Sequence, residues 1–420
     1  MFATIKQIFA KDNKEIRKRI LFTIGALALF SIGTNITVPG AKSITRELGF
    51  LQILNLMSGG GLKNFSIFAL GVTPYITATI IMQLLQSDII PYFKELKEEG
   101  YTGRQKINRI SRYLGIAFAF IQSYLFSIGF LNASSTMVIL KTSLIMTAGT
   151  AFLLWLGDQI TTHGIGNGVS LLIMAGIIQT MPSMFYKVYT SLITNGNNLP
   201  IGILLFALFV IVYLGIIVGI IFIQEAEERI PIQYSNRTNN AYKARQSYLP
   251  VKLNPSGVMP VILASTVLTI PTTVAEFVGK SGFKTFVNNY INYTTLTGSI
   301  IYVILIFFFG YFWTFMQMNP KEMSKDLNER GAYLPSVRPG KETEKHIKYV
   351  LSRVNVSGLI FLTIIALIPI IFSKISALGS NVTVGGTGLL IVVGVALETF
   401  KQLESSLIAR DYKRRSKRIW

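Results

Sequence analysis

Cysteine is absent from the chain, and charge is nearly absent from the interior of its apolar runs. The first absence excludes disulfides and thiolate-held metals outright. Histidine is scarce as well. His163 and His346 both fall in polar gaps, and no HExxH pair, nucleophile elbow or membrane-embedded Ser/His pair can be assembled from them. Charged residues make up 14% of the sequence and hydrophobic ones 50%, a balance too apolar for a soluble multidomain enzyme. Nor is there a hydrophilic block long enough for a second domain, the longest polar loops having roughly thirty residues.

What is present is a series of ten long apolar stretches, at 20–38, 65–87, 113–131, 138–157, 167–186, 200–223, 256–276, 298–318, 354–373 and 384–404. Each is close to the ~20 residues needed to cross a ~30 Å hydrocarbon layer. About thirty of the forty Lys and Arg residues fall in every second gap, and the gaps between hold only eight. Basic loops resist translocation, so this alternation predicts a polytopic membrane protein with both termini cytoplasmic. The short gap from Gln159 to Gly166 carries no Lys or Arg, and only its neighbours support its side. The net charge of +20 is accounted for by orientation and anionic-lipid contact rather than nucleic acid. The first apolar run, from Ile20, exits into Thr37-Val38-Pro39-Gly40 with no small-residue cleavage site, which predicts a retained first span.

The first nine stretches hold no Asp, Glu, Lys or Arg in their cores. A charge there costs ~2.5–3.5 kcal/mol, and ion-coupled transporters carry one because function demands it. Glu398, Lys401 and Glu404 in the last stretch are the exception. Their spacing puts them along one helix face near its cytoplasmic end, as a snorkelling cluster rather than an ion path. Gly164-Ile165-Gly166-Asn167-Gly168 resembles a phosphate loop only superficially. It follows no strand and lacks a Walker lysine, so a tight turn is expected.

Phe50 to Leu62 is apolar but short: ~13 residues at 1.5 Å rise cover only about 20 Å. Gly59-Gly60-Gly61 then breaks the pattern. The residues leave two readings open, a re-entrant half-helix inside a sheltered cavity or an amphipathic helix on the membrane surface. The next stretch predicts a full span from about Phe65, kinked at Pro74, with Gly71 admitting a close neighbour.

The segments Ile67-Phe68-Ala69-Leu70-Gly71-Val72-Thr73-Pro74-Tyr75-Ile76, Trp155-Leu156-Gly157-Asp158-Gln159-Ile160-Thr161, Gly164-Ile165-Gly166-Asn167-Gly168, Val337-Arg338-Pro339-Gly340 and Gly385-Gly386-Thr387-Gly388-Leu389-Leu390-Ile391-Val392 resemble, in order, those of the SecY family. Its members form the central subunit of the bacterial protein-conducting channel, and the likeness covers essentially the whole chain. It implies an all-α membrane domain over 1–420, in two inverted halves of five spans, 1–190 and 191–420. An aliphatic collar is implied at Val72, Ile76, Val169, Ile173, Ile262 and Ile391. Such a constriction dewets and blocks ions, yet yields to a chain of any sequence.

The resemblance also makes 50–64 a plug beneath the collar, with Phe50, Leu54, Leu56, Met57, Gly59, Gly60 and Gly61 as its residues. Gln83, Gln122 and Ser265 become contacts across a lateral gate, with Pro260 and Pro271 bending the seventh span. The loops 225–255 and 319–352 would bind the ribosome or the SecA motor ATPase through Arg338, Arg237, Lys243 and Arg245. Where many relatives carry paired arginines, this chain has Asn239-Asn240-Ala241, so docking is expected to differ in detail. SecE and SecG subunits, membrane lipids and unfolded secretory or membrane polypeptides are the implied partners. The expected protein is a passive conduit of the bacterial cytoplasmic membrane, without catalysis or cofactor. A small-solute transporter predicts a buried charged cluster at mid-membrane, and an intramembrane enzyme predicts paired catalytic groups. The sequence offers neither.

Overall fold

The structure, a computed structural model, describes residues 14–41, 52–86, 90–131, 135–194, 199–234, 247–278, 281–291, 295–375 and 385–419. The first helices are α1 (Lys14–Gly33), α2 (Gln52–Met57), α3 (Thr73–Leu85) and α4 (Pro91–Glu98). Then come α5 (Tyr101–Phe130), α6 (Thr136–His163), α7 (Gly168–Tyr189, extended by a π-helical turn over Thr190–Thr194) and α8 (Leu199–Glu225). Strands β1 (Glu227–Tyr234) and β2 (Ser247–Lys252) precede α9 (Met259–Val278) and α10 (Ser281–Phe286). The chain continues through α11 (Leu296–Gln317), α12 (Pro320–Glu329), β3 (Ala332–Tyr333), α13 (Lys341–Ile375) and α14 (Gly385–Ile419).

A helix overlies each of the ten apolar stretches. Six of these helices, α5, α6, α7, α8, α11 and α13, are long and apolar enough to cross a membrane, and α3 and part of α9 are shorter apolar helices. The expected second span differs from its helix. Phe65 has φ 50° and Gly71 φ 57°, so the chain turns until Thr73. Pro74 stands in the first turn of α3, where its missing N–H costs nothing, and therefore starts the helix instead of kinking it. Pro260 likewise lies in the first turn of α9, and only Pro271 is interior to that helix.

The residues form two compact units. One comprises Met1–Phe206, Thr273–Lys280 and Leu378–Trp420, the other Ala207–Thr272 and Ser281–Ala377. In the first, α5 and α6 pair along a seam of small polar residues. Ser123 Oγ lies 3.0 Å from Ser143 O and 3.1 Å from Thr147 Oγ1, and Ser143 Oγ lies 3.4 Å from Ser127 Oγ. Small hydroxyls let helices approach closely where lipid supplies no hydrophobic drive. Arg112 and Asp158 close the end of this pair at 2.8 Å. The turn from α6 to α7 is tied to α1, because Ile165 N–H donates to Thr23 Oγ1 at 3.1 Å. The gap that lacked basic residues is thus held against α1.

In the second unit α11 and α13 meet where Gly310 faces Leu359. Buried Thr314 Oγ1 donates to Asn355 Oδ1 at 2.8 Å. The expectation of an all-α chain needs correction here, since a three-stranded antiparallel sheet of order β2-β1-β3 forms. Ile230 and Ile232 alternate inward along β1, in register with Leu249 and Ser247 of β2. They pack with Val251, Leu327, Ala332, Leu334, Ile347 and Leu351, so the two long polar loops share one core. Truncating fully buried Ile347 to Ala should cost ~2–5 kcal/mol. The measurement is limited proteolysis of Glu227–Lys252, expected to accelerate while α5 and α6 stay intact. Unchanged cleavage would contradict the shared core.

Candidate functional site

The segment around α2 is short, apolar and buried within the first unit. Asn55, Leu56, Met57, Leu62 and Phe65 are all below a tenth exposed, and Leu54 is partly buried. Phe50 lies outside the described residues. Backbone that leaves the helix must find partners locally, because water is scarce in such surroundings. Gly60 N–H donates to Asn55 O at 2.8 Å, and Lys63 N–H donates to Asn55 Oδ1 at 2.8 Å. Leu62 N–H reaches Ser58 Oγ at 3.2 Å and Ser66 N–H reaches Gly61 O at 2.9 Å. Two bonds then pair this turn with the chain leaving α1: Val38 N–H to Phe65 O at 2.9 Å and Ile67 N–H to Ile36 O at 3.0 Å. Gly59 and Gly60 have φ of 67° and 81°, the left-handed region that glycine enters without strain.

Three glycines let this turn touch its neighbours through backbone. A Cβ added at Gly176 of α7 would lie 2.6 Å from Met57 O and 2.9 Å from Gly59 N. One added at Gly71, the residue before Val72, would lie 3.3 Å from Ser58 Cα. One added at Gly59 would lie 2.9 Å from Gln179 Oε1 and 3.3 Å from Gly176 Cα. The tip of α2 is thus wedged between the entry to α3 and the middle of α7.

Several expected collar residues flank that wedge. Val72 is the N-cap of α3, and its carbonyl accepts Ile76 N–H at 3.2 Å, so the two side chains sit one turn apart. Both are buried, as are Ile173 and Ile391. Helices α7 and α14 run antiparallel, because Gly388 faces Ile177 while Gly166 faces Thr399. That register puts Ile391 level with Ile173 and Met174. Val169 is different: it is only partly buried, and its Cγ2 lies 3.3 Å from a Cβ placed on Gly157 of α6. Ile177 was not singled out from sequence, yet it is 2% exposed and lies directly opposite Gly388. Its signal was present as the next i+4 position after Ile173. Ile262 is buried in α9 of the second unit.

The remaining expectations fall on several elements. Met82 of α3 clusters with Ile107 of α5, and Tyr75 lies against Gly115, so these helices are antiparallel. Gln83 is therefore level with the start of α5, and Gln122 lies about 22 Å farther along it at 1.5 Å per residue. Gln83 Oε1 is buried without a hydrogen-bond partner. Ser265 Oγ donates to Ile262 O at 2.8 Å. Arg338 is exposed in the turn before α13, where its carbonyl accepts Thr343 Oγ1 at 2.9 Å and so fixes the backbone. Arg237, Lys243 and Arg245 lie outside the described residues.

The site offers apolar surface and close backbone contact rather than a reacting constellation. Among the described residues, no three His, Asp or Glu side chains gather as a metal site. In the loop that mimics a phosphate cradle, the N–H groups of Gly164, Ile165, Gly168, Val169 and Ser170 all donate to protein acceptors. Glu398, Lys401 and Glu404 are exposed on α14.

A family model described as SecY matches residues 66–400. The protein translocase subunit SecY of Bacillus subtilis (strain 168) is 44% identical over 428 residues, covering 98% of this chain and 99% of that protein. Among solved structures, one described as a protein-conducting channel superposes with a TM-score of 0.68 at 20% identity, over 94% of this chain and 93% of that one. A SecY structure whose plug domain is described as stabilising the closed channel and maintaining a membrane seal has a TM-score of 0.65 at 19% identity, with the same coverage. The collinear match, near-complete on both sides, establishes that this chain belongs to the SecY family.

Proposed function

We propose that the chain is the pore subunit of a protein translocase, passing unfolded polypeptides across the bacterial cytoplasmic membrane and releasing apolar segments sideways into lipid. The observation that carries this reading is the seating of α2 and its glycine turn, backbone against backbone, beside Gly71–Val72 and Gly176. A removable segment lodged next to aliphatic side chains is what a closed conduit needs.

In this reading the chain crosses ten times with cytoplasmic termini, as halves 1–190 and 191–420. Residues 50–64 are the plug. The collar comprises Val72, Ile76, Ile173, Ile262 and Ile391. Ile177 joins it because of its position opposite α14, while the contact of Val169 with Gly157 makes that residue a rim position. Gln83, Gln122 and Ser265 are proposed contacts for a partitioning segment, and the spacing of Gln83 from Gln122 suits successive positions better than one cluster. The folded knob of β1, β2, β3 and α12 carries exposed Arg338 as a contact for the SecA motor or the phosphates of a ribosome, and Arg237, Lys243 and Arg245 are proposed for the same role from sequence. SecE and SecG are the proposed companion subunits. The chain itself catalyses nothing, and energy comes from the bound motor, translation or the membrane potential.

The reading is tested by ion conductance of the reconstituted complex. Val72→Ser and Ile173→Ser should each raise resting conductance about tenfold or more, since a hydroxyl wets an apolar constriction. Leu204→Ser on the exposed face of α8 is the control, and equal conductance in all three would contradict the collar. Gly176→Val adds a side chain where Met57 O and Gly59 N already sit. It should displace α2 and raise conductance by a comparable factor. Gly25→Val, in open surroundings, should not.

A further inference from the structure

Thr34 and Gln179 form a polar contact that neither the collar nor the plug requires. Thr34 lies immediately after α1 and is fully buried. Its Oγ1 donates to Ser31 O at 2.8 Å, which uses its only proton. The same oxygen accepts Gln179 Nε2 from α7 at 3.0 Å. Gln179 Oε1 turns toward Gly59, where an added Cβ would lie 2.9 Å from it and 3.4 Å from Thr34 Cγ2. The first helix, the fifth-stretch helix and the tip of the α2 segment therefore converge on one side-chain hydrogen bond. Gly59 has no side chain of its own, and its backbone is left-handed, with φ of 67°.

We infer that the Thr34–Gln179 hydrogen bond is a latch, bridging α1 to α7 over Gly59, and that these two residues position the plug and set how readily it leaves. The inference rests on the plug reading proposed above and adds its control element. The physical basis is a local one. Gln179 Oε1 occupies the space beside Gly59 that a Cβ would meet, so a shift of the turn toward that side meets the amide. The amide can yield only by giving up its bond to Thr34, in surroundings where few alternative partners exist. A neutral bond of this kind is strong enough to bias the resting state and weak enough to break when a substrate segment competes for the same space. Both ends are uncharged, so the latch responds to packing and displacement rather than to pH.

The absence of cysteine gives a direct readout. A single cysteine replacing Met57, in the complex reconstituted into vesicles, reports plug exposure through its rate of reaction with a membrane-impermeant maleimide. Thr34→Val and Gln179→Leu keep size and remove the bond. Each should speed labelling about threefold to tenfold. The double variant should react no faster than the faster single one, because only one bond is lost. Thr34→Ser, which keeps the hydroxyl, should restore the slow rate. Unchanged labelling in both single variants would overturn the latch, as would a fall in thermal stability without faster labelling, which would mark a purely structural contact. Deletion of Gln52–Met57 separates this from the parent reading. If that deletion raises ion conductance while the latch variants label normally, the latch alone is wrong. If it leaves conductance unchanged, the plug reading fails and the latch falls with it.

Discussion

Close approach of backbone to backbone around Gly176 is the constraint on which this structure turns. Helix α7 can receive Met57 and Gly59 only because residue 176 has no side chain. Gly71 does the same at the entry to α3, and Gly59 completes the set from within the turn. Each close contact removes volume that a larger side chain would prop open, so the α2 tip sits flush against both helices. The same economy recurs at Gly157 and Gly168 between α6 and α7, and at Gly310 between α11 and α13. Small residues take the role in these helix contacts that large apolar ones take in a water-soluble core.

This arrangement reconciles two demands on a polypeptide conduit. A seal must exclude ions, and a pore must make no bond that depends on the passing sequence. Aliphatic side chains satisfy both, because their exclusion of water is non-directional. In the plug reading, the turn after α2 keeps its backbone bonds within itself, so moving it does not break those bonds. Asn55 illustrates the point: its backbone O and its Oδ1 serve Gly60 and Lys63 within the same turn.

Much of the helical framework could be read from charge and hydropathy, because both respond to the bilayer one span at a time. Each of the ten stretches contains helix, six of the helices being long and apolar enough to cross a membrane, and the tight turn at Gly164–Gly168 appears as such. The failures share a cause in tertiary contact. Residues 65–72 are apolar enough to read as helix, yet Phe65 and Gly71 turn left-handed where the chain pairs with Ile36 and Val38. Strands β1 and β2 exist because α13 supplies Ile347 and Leu351 from a hundred residues away, which no local pattern in a Pro- and Asn-containing loop reveals. The separation of Gln83 from Gln122 needs the register of α3 on α5. The burial of Ile177 opposite Gly388 and the contact of Val169 with Gly157 likewise depend on the neighbours of α7, which local sequence does not show.

Passage of a translocating chain along the side chains beside the α2 wedge is the step on which the pore reading depends. It is tested most directly by placing one cysteine at Ile173 in this cysteine-free protein, with exposed Leu204 as the comparison, and arresting a secretory substrate that carries a single cysteine during transport. A disulfide at Ile173 that requires ATP and the motor, and none at Leu204, is expected. Transport that proceeds with no crosslink at Ile173 or at any other collar position would contradict it.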